Sequence, residues 1–181
     1  VARARKLATQ AREAARHYER VEVGVNYRMS NVLAGIGRGQ LRVLDERVRQ
    51  RRRVFERSQQ ALSDIPTIRW MPEPEGYLTT RWLTCFTLAG EDATARCDTL
   101  MRSMERHSIE MRPVWKPMHL QPLFHNAPYF PHAEGADVSR RLFETGVCLP
   151  SGSNLSEEQQ DRVIAHLRRV RSQPEDRRAL V

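Results

Sequence analysis

The 181-residue sequence predicts an α/β protein, with a mostly helical first third and then a compact α/β lobe of about 110 residues. Three observations carry this expectation. Apolar side chains recur with helical spacing from Ser30 to Leu62, and no proline interrupts before Pro66. Beyond Pro66, short β-branched and aromatic runs alternate with helical runs. At 40% hydrophobic and 29% charged residues, the composition is that of a globular chain able to bury a core.

Residues 1–18 are rich in Ala and Arg, with Leu7 as the main apolar side chain, and read as a helix. Val21, Val23 and Val25 then alternate with Glu22 and Gly24, the pattern of a short extended piece. Ser30 or Asn31 can cap the next helix. That helix is expected to run long, over 29–64. Leu41, Val48, Phe55 and Leu62 recur every seven residues, with Leu33, Ile36 and Leu44 beside them. Unbroken, it would be a rod of roughly 50 Å, an element that bridges two bodies or packs on a partner. Arg51 and Ser58 occupy the second apolar position of the heptad and weaken a coiled-coil reading.

Pro66, Pro72 and Pro74 mark a loop. Residues 81–88, RWLTCFTL, predict a strand with both faces partly covered. Ala93, Cys97, Leu100, Met101 and Met104 give 93–107 a helical face. Residues 109–114 can form a strand, and Pro113 assigns it to an edge or an end. The run WKPMHLQPLFHNAPYFP, 115–131, is too dense in Pro to be regular throughout. A short helix is expected over 136–145 with Gly146 as its terminator, then a strand over 147–150. Ser156 opens the last helix. Gln159 completes a capping box, and Glu157 and Glu158 suit the positive helix end. From Ser172 on, a polar frayed tail is expected.

Charge and cysteine usage narrow the function. Lys plus Arg is 30 against 22 Asp plus Glu, a net of +8. Lys6 and Lys116 are the only lysines; the other 28 cations are arginines. Arg cannot form an imine, so imine chemistry has two candidates within the chain. Residues 1–70 carry +9 and residues 71–181 carry −1. A basic half can meet a polyanion, but a solvated helix face or an Arg-rich subunit interface is the favoured reading. Cys85, Cys97 and Cys148 are odd in number and form no C-x-x-C pair. A disulfide framework and a structural zinc site are therefore not expected, and a reducing cytoplasmic setting is. Cys85 and Cys148 read as small core residues. No apolar run approaches the ~20 residues of a membrane span, so no membrane contact is expected, and no signal peptide is recognisable. The chain begins with Val1 rather than Met, and the start of the gene product is expected upstream.

Gly35, Gly37 and Gly39 form G-I-G-R-G, but the spacing is not G-x-G-x-x-G and the run lies inside a helical pattern. The glycines read as sites where another backbone approaches closely. No Walker, G-x-S-x-G or H-E-x-x-H motif occurs. Asn26, Tyr27 and Arg28 bring an amide, a phenol and a guanidinium to the entry of the long helix. Such a set can hold a phosphate or a sugar hydroxyl, although spacing alone favours ordinary capping. RPVWKPMH, 112–119, gathers an Arg, a Trp, Lys116 and His119 on a loop stiffened by prolines. It suits an anionic or sugar ligand, and a surface loop with a buried Trp is the equal alternative.

Three blocks then acquire a common meaning. NYRMSNVLAGIGRGQLRVLDERVRQRRR (26–53), RPVWKPMHLQPLF (112–124) and GVCLPSGSNLSEEQQDRVI (146–164) resemble, in order and separation, the carboxyl-terminal half of the DegT/StrS family. These are pyridoxal-phosphate-dependent aminotransferases acting on nucleotide-linked keto-sugars. The WKPMH form most resembles the subgroup making 4-amino sugars for bacterial glycans and exopolysaccharide. The resemblance implies the carboxyl-terminal part of the aspartate-aminotransferase-like (type I) fold. Residues 1–28 would end the large cofactor-binding domain, 29–64 would be the long connecting helix, and 65–181 the small α/β domain. It implies a cytoplasmic homodimer that takes an amino group from glutamate.

The Schiff-base lysine and the aspartate that pairs with the pyridine nitrogen would precede Val1, so no catalytic residue is assigned within this chain. Lys6 matches a helical surface position and Lys116 the family's loop lysine. Pyridoxal 5'-phosphate would be bound mainly by the missing amino-terminal half, and the 181-residue chain alone is expected to be inactive. By resemblance, Asn26 reaches the cofactor phosphate of the partner subunit, and Tyr27 and Arg28 lie nearer the substrate. Lys116 and His119 face the sugar nucleotide, where cations would meet the diphosphate. Ser151, Ser153 and Asn154 form a turn that could line the site. The reading kept beside this one is a stand-alone basic module binding nucleic acid or another polyanion through the helix at 38–57. Arg38, Arg42, Arg49, Arg52 and Arg53 spread around that helix rather than forming one stripe, and few aromatics are present to stack bases, so nucleic acid is not expected.

Overall fold

A computed structural model describes residues 1–172, and the tail expected beyond Ser172 lies outside the described residues. The chain divides into two compact units, Val1–Asp45 and Glu46–Val181.

In the first unit, helix α1 (Ala2–Ala8) is much shorter than the helix expected over 1–18. The chain reverses instead. The Thr9 hydroxyl donates to the carbonyls of Arg5 at 3.0 Å and Lys6 at 2.9 Å, closing the last turn. Gln10 and Ala11 then take φ of 64° and 51°. A returning segment pairs with the helix end. The Val25 N–H donates to Leu7 O at 2.8 Å, the Tyr27 N–H to Ala8 O at 3.0 Å, and Thr9 bridges Asn26. Helical propensity in the Ala-rich stretch gives way to these long-range bonds. Val21–Val25 is correspondingly not a free strand but part of this return, and Gly24 is required there. A Cβ on Gly24 would sit 2.3 Å from the Ala11 nitrogen.

Helix α2 (Asn31–Leu41) starts at Ser30, whose hydroxyl oxygen accepts from the Leu33 N–H at 3.2 Å. Helix α3 (Leu44–Ala61) follows. The unbroken rod expected over 29–64 is thus two helices. At the break the Val43 N–H bonds Gln40 O, three residues back, a 3₁₀ contact. The reason lies in what each helix buries. α2 carries three glycines and buries no side chain, whereas α3 buries Val54, Phe55 and Ser58. The seven-residue seam is therefore a core feature only at Phe55 and Leu62; Leu41 is 69% exposed.

The second unit continues with β1 (Ile68–Trp70), β2 (Thr84–Leu88), α4 (Ala93–Arg106), β3 (Arg112–Pro113), two 3₁₀ turns (Met118–Leu120 and Pro122–Phe124), α5 (Val138–Thr145), β4 (Gly146–Leu149) and α6 (Glu157–Ser172). The sheet order is β1-β2-β4-β3, every pair antiparallel. β1 has three residues, too few for a period to show between Pro66 and Pro72. The strand expected over 81–88 begins at Thr84, because Arg81 has a φ of 49° and reaches back to Met71 O at 2.8 Å. The strand expected over 109–114 shrinks to Arg112–Pro113, on the edge that Pro113 requires. Gly146 ends α5 but not as a left-handed terminator. It lies at φ −104°, ψ 138° and opens β4. The expected capping box forms, Gln159 N–H to Ser156 Oγ at 3.2 Å and Ser156 N–H to Gln159 Oε1 at 3.0 Å.

Alternation along β2 turns Thr84, Phe86 and Leu88 to one buried face. There Phe86 and Leu88 join Leu62, Ile65, Leu100, Met104, Val163, Ile164 and Leu167 in a contiguous core. Cys148 is buried as expected, but Cys85 is half-buried. The two sit opposite each other on β2 and β4 with sulfurs 3.4 Å apart. Cys97 is buried in the core, which pushes its thiol up to about 11, so it is not nucleophilic.

Loop 71–83 is held by one carboxylate. Glu73 accepts from Arg52 at 2.9 and 3.1 Å, from Arg81 at 3.2 Å and from the Thr79 N–H at 2.9 Å. Hydrogen bonds from Arg52, then from Thr79, hold the carboxyl down at about 2, below its usual 4.5. A depressed carboxyl stabilises the fold above its unfolded-state value, and that stabilisation is lost as pH falls through the folded one. The urea midpoint of Glu73→Gln is therefore expected to lie below that of the unsubstituted protein above pH 4.5, the gap closing toward pH 2. A gap that stays constant over this range would contradict the assignment.

Candidate functional site

Asn26, Tyr27 and Arg28 stand together on the return segment of the first unit, just before the Ser30 cap. The Asn26 backbone is fixed by its bridge to Thr9, and its Oδ1 accepts from the Arg28 N–H at 3.4 Å. All three side chains are exposed, Tyr27 at 82%. The Asn26 amide N–H₂, the Tyr27 hydroxyl and the Arg28 guanidinium thus form a run of outward donors. This donor set fits a phosphate, and the fixed backbone limits the cost of ordering it.

In the second unit, the loop after β3 carries Lys116 and His119. The Val114 N–H donates to Gly146 O at 3.0 Å, anchoring the loop to β4. The Lys116 side chain is exposed, and its carbonyl accepts from Gln121 Nε2 at 3.3 Å. His119 lies in the first 3₁₀ turn with its side chain 14% exposed. Its Nε2 is 2.7 Å from Asp137 Oδ2, and its ring stacks on Tyr129 at 3.7 Å and 10°. Asp137 caps α5. Burial works against its charge, but hydrogen bonds from the Arg140 N–H, His119, Ser139 and Tyr129 outweigh burial and hold the carboxyl well below the usual range.

Trp115 is not buried. It is 63% exposed and stacks at 5.9 Å on Trp82, itself 61% exposed. Ser151 does not offer a free hydroxyl. Its Oγ donates to Leu149 O and accepts from the Thr84 N–H, each at 2.7 Å, tying the turn to the sheet. Ser153 is half-buried and Asn154 exposed in the same turn. Gly35, Gly37 and Gly39 lie within α2, as the helical pattern implied, but among the described residues nothing beyond the adjoining helix backbone lies within 4 Å of a Cβ placed on them.

Neither lysine is set up as a nucleophile. Lys6 Nζ is held by Glu13 at 2.5 Å and Glu22 at 3.1 Å, and these two partners raise its affinity for the proton. Lys116 projects from a loop. The arginines of α3 are occupied within the fold: Arg49 and Arg53 by Glu46, Arg52 by Glu73, Arg57 by Glu157 and Asp161. Arg51 donates to the carbonyls of Trp82 and Ser151. Sequence reasoning missed Asp137 and Tyr129. Asp137 carried one legible sign, its place as a cap before 138–145, yet the helix was expected to start at 136.

Residues 1–168 match the DegT/DnrJ/EryC1/StrS aminotransferase family. The chain is 48% identical, over 91% of its length, to EpsN of Bacillus subtilis (strain 168), provisionally named a pyridoxal phosphate-dependent aminotransferase. It is 34% identical, over 93% of its length, to the GDP-perosamine synthase of Caulobacter vibrioides. The chain spans 42% and 44% of the length of these two relatives. Among solved structures, the aminotransferase TlmJ of Streptoalloteichus hindustanus superposes with a TM-score of 0.78 at 27% identity, covering 94% of this chain and 44% of that one. PseC of Helicobacter pylori, at 14% identity and TM-score 0.78, covers 92% of this chain and 44% of its own, and shares the fold. The three sequence blocks, the fold and the match over 1–168 agree, and the chain belongs to the DegT/DnrJ/EryC1/StrS aminotransferase family.

Proposed function

We propose that this chain is the carboxyl-terminal portion of a pyridoxal-phosphate-dependent aminotransferase. The whole protein would move an amino group from glutamate to a nucleotide-linked 4-keto sugar in bacterial polysaccharide or glycan biosynthesis. The observation that carries this reading is the 48% identity to EpsN across 91% of the chain. The GDP-perosamine synthases among its relatives support a nucleotide sugar as acceptor. Residues 1–28 would close the large domain and 65–181 form the small one. The protein would act as a cytoplasmic homodimer. No helix among the described residues is long and apolar enough to cross a membrane.

Pyridoxal phosphate, when bound, supplies the electron sink for amino transfer. Asn26 would donate its amide N–H to the cofactor phosphate of the partner subunit, with Tyr27 and Arg28 beside it toward the substrate. Lys116 would meet the substrate diphosphate as a mobile point charge, and His119 would meet the same nucleotide sugar. The lysine that forms the Schiff base would lie outside this chain, a reading supported by the carboxylates that hold Lys6 and the exposed loop that carries Lys116. The polyanion reading loses support because the α3 guanidiniums already have partners in the fold.

In the intact protein, His119→Ala is expected to raise the Michaelis constant for the nucleotide sugar about tenfold, the loss of one good hydrogen bond. Asn26→Ala is expected to release pyridoxal phosphate faster on dialysis, read by absorbance, with a smaller effect on sugar binding. Wild-type kinetics and unchanged cofactor retention in the two variants would overturn the roles.

A further inference from the structure

His119 has two ring nitrogens, and among the described residues only one of them has a partner. Nε2 lies 2.7 Å from Asp137 Oδ2, while Nδ1 has no protein partner among the described residues. A carboxylate only accepts, so the proton between them belongs to Nε2. Tyr129 stacks across the ring face at 3.7 Å and donates its hydroxyl to Asp137 Oδ1 at 3.2 Å. We propose that Asp137 is a positioning residue: it fixes the His119 ring with a proton on Nε2 and so leaves Nδ1 to be presented to the nucleotide sugar as an acceptor for a sugar hydroxyl. The proposal rests on the reading that His119 meets the substrate, and it changes what His119 does there. A nitrogen lone pair does not bind a diphosphate, which has no proton to give. Lys116 is left as the cation of this loop for the diphosphate, and His119 reads the sugar.

The environment of Asp137 makes the test sharp. Oδ1 accepts from the Arg140 N–H at 2.9 Å, the Ser139 hydroxyl at 3.0 Å and the Tyr129 hydroxyl. Oδ2 accepts from His119 and from Arg140 Nε at 3.2 Å. In Asp137→Asn the amide oxygen is expected on the Oδ1 side, where it keeps the Arg140 N–H and the two hydroxyls as donors at the cost of the Arg140 Nε bond. The N–H₂ group then takes the Oδ2 position and donates to His119 Nε2. That moves the ring proton to Nδ1 and turns the Nδ1 acceptor into a donor, the wrong-tautomer effect known from a catalytic His–Asp pair. Asn is as good a helix cap as Asp, so α5 keeps its start.

The experiment is long-range ¹H–¹⁵N NMR of the His119 ring in the intact protein, together with steady-state kinetics on a nucleotide-linked 4-keto sugar. The Nε2–H tautomer is expected in the unsubstituted protein and Nδ1–H in Asp137→Asn, with kcat/KM for the sugar lowered about 10- to 100-fold. Asp137→Ser keeps the cap and removes the ring's partner, and should give mixed tautomers with a smaller loss. Tyr129→Phe keeps the stack and should change kcat/KM less than either. An Nδ1–H ring in the unsubstituted protein, or the same tautomer in Asp137→Asn, overturns the proposal. A flipped tautomer with unchanged kinetics also overturns it if His119→Ala is impaired. If His119→Ala is unimpaired as well, the underlying role of His119 falls with it.

Discussion

Phe86→Ala is expected to lower the free energy of unfolding by about 3–5 kcal/mol, the range for a large buried aromatic truncated to a methyl group. Phe86 is 2% exposed and lies in the middle strand pairing, opposite Trp70 on β1 and Val147 on β4. Its ring meets Trp70 edge-on at 5.4 Å, and Trp70 meets Phe55 edge-on at 5.6 Å. Arg81 lies over Phe55 at 3.8 Å while also binding Glu73. Removing Phe86 leaves a cavity in a core built from the sheet and the helices packed on it, which cannot collapse without breaking hydrogen bonds. The loss should appear as a lower urea midpoint with an unchanged slope, accompanied by altered Trp70 emission. A loss under about 1 kcal/mol would mean the site collapses freely and the aromatic chain is not a structural unit.

Local rules predicted the parts of this fold that are made locally. The Ser156–Gln159 box, the spacing of α4 and the edge position of Pro113 each follow from a few neighbouring residues, and each is present. Features set by distant partners were not legible. The Ala-rich start is helical by propensity, yet α1 stops at Ala8 because residues 25–27 return to bond it. The seven-residue seam continues through Leu41, but nothing among the described residues buries that part, and the helix breaks at 42–43. Cys85 and Cys148 come face to face only because β2 and β4 pair in one register.

The candidate site divides along the same line. Lys116 and His119 were visible because unusual residue types crowd a proline-stiffened loop. Asp137, 18 residues further on, was not, because its meaning depends on α5 turning its cap back toward His119. A chemical cluster can be read from sequence when one loop carries it. The group that sets the protonation site of a ring is found only when the chain has closed.

Gly146→Ala is expected to destabilise by an amount at the upper end of about 1–3 kcal/mol, and to disturb the substrate loop as well. A Cβ on Gly146 would lie 2.3 Å from Leu142 O and 2.7 Å from Val114 Cγ2. The first atom is helix backbone, which cannot move aside without unwinding the end of α5. The second belongs to the residue whose N–H holds the loop to Gly146 O. Strain placed there is relieved by shifting Val114, two residues before Lys116. If the proposed role of that loop holds, the Michaelis constant for the nucleotide sugar should rise along with the fall in Tm. Gly37→Ala is the contrast: with nothing among the described residues beyond the adjoining helix backbone within 4 Å, it should stabilise α2 by about 0.5–1 kcal/mol through helix propensity. If Gly146→Ala matched the unsubstituted protein in Tm and kinetics, β4 would have to accommodate a methyl group by moving α5. The contacts assigned to Val114 and Leu142 would then be wrong.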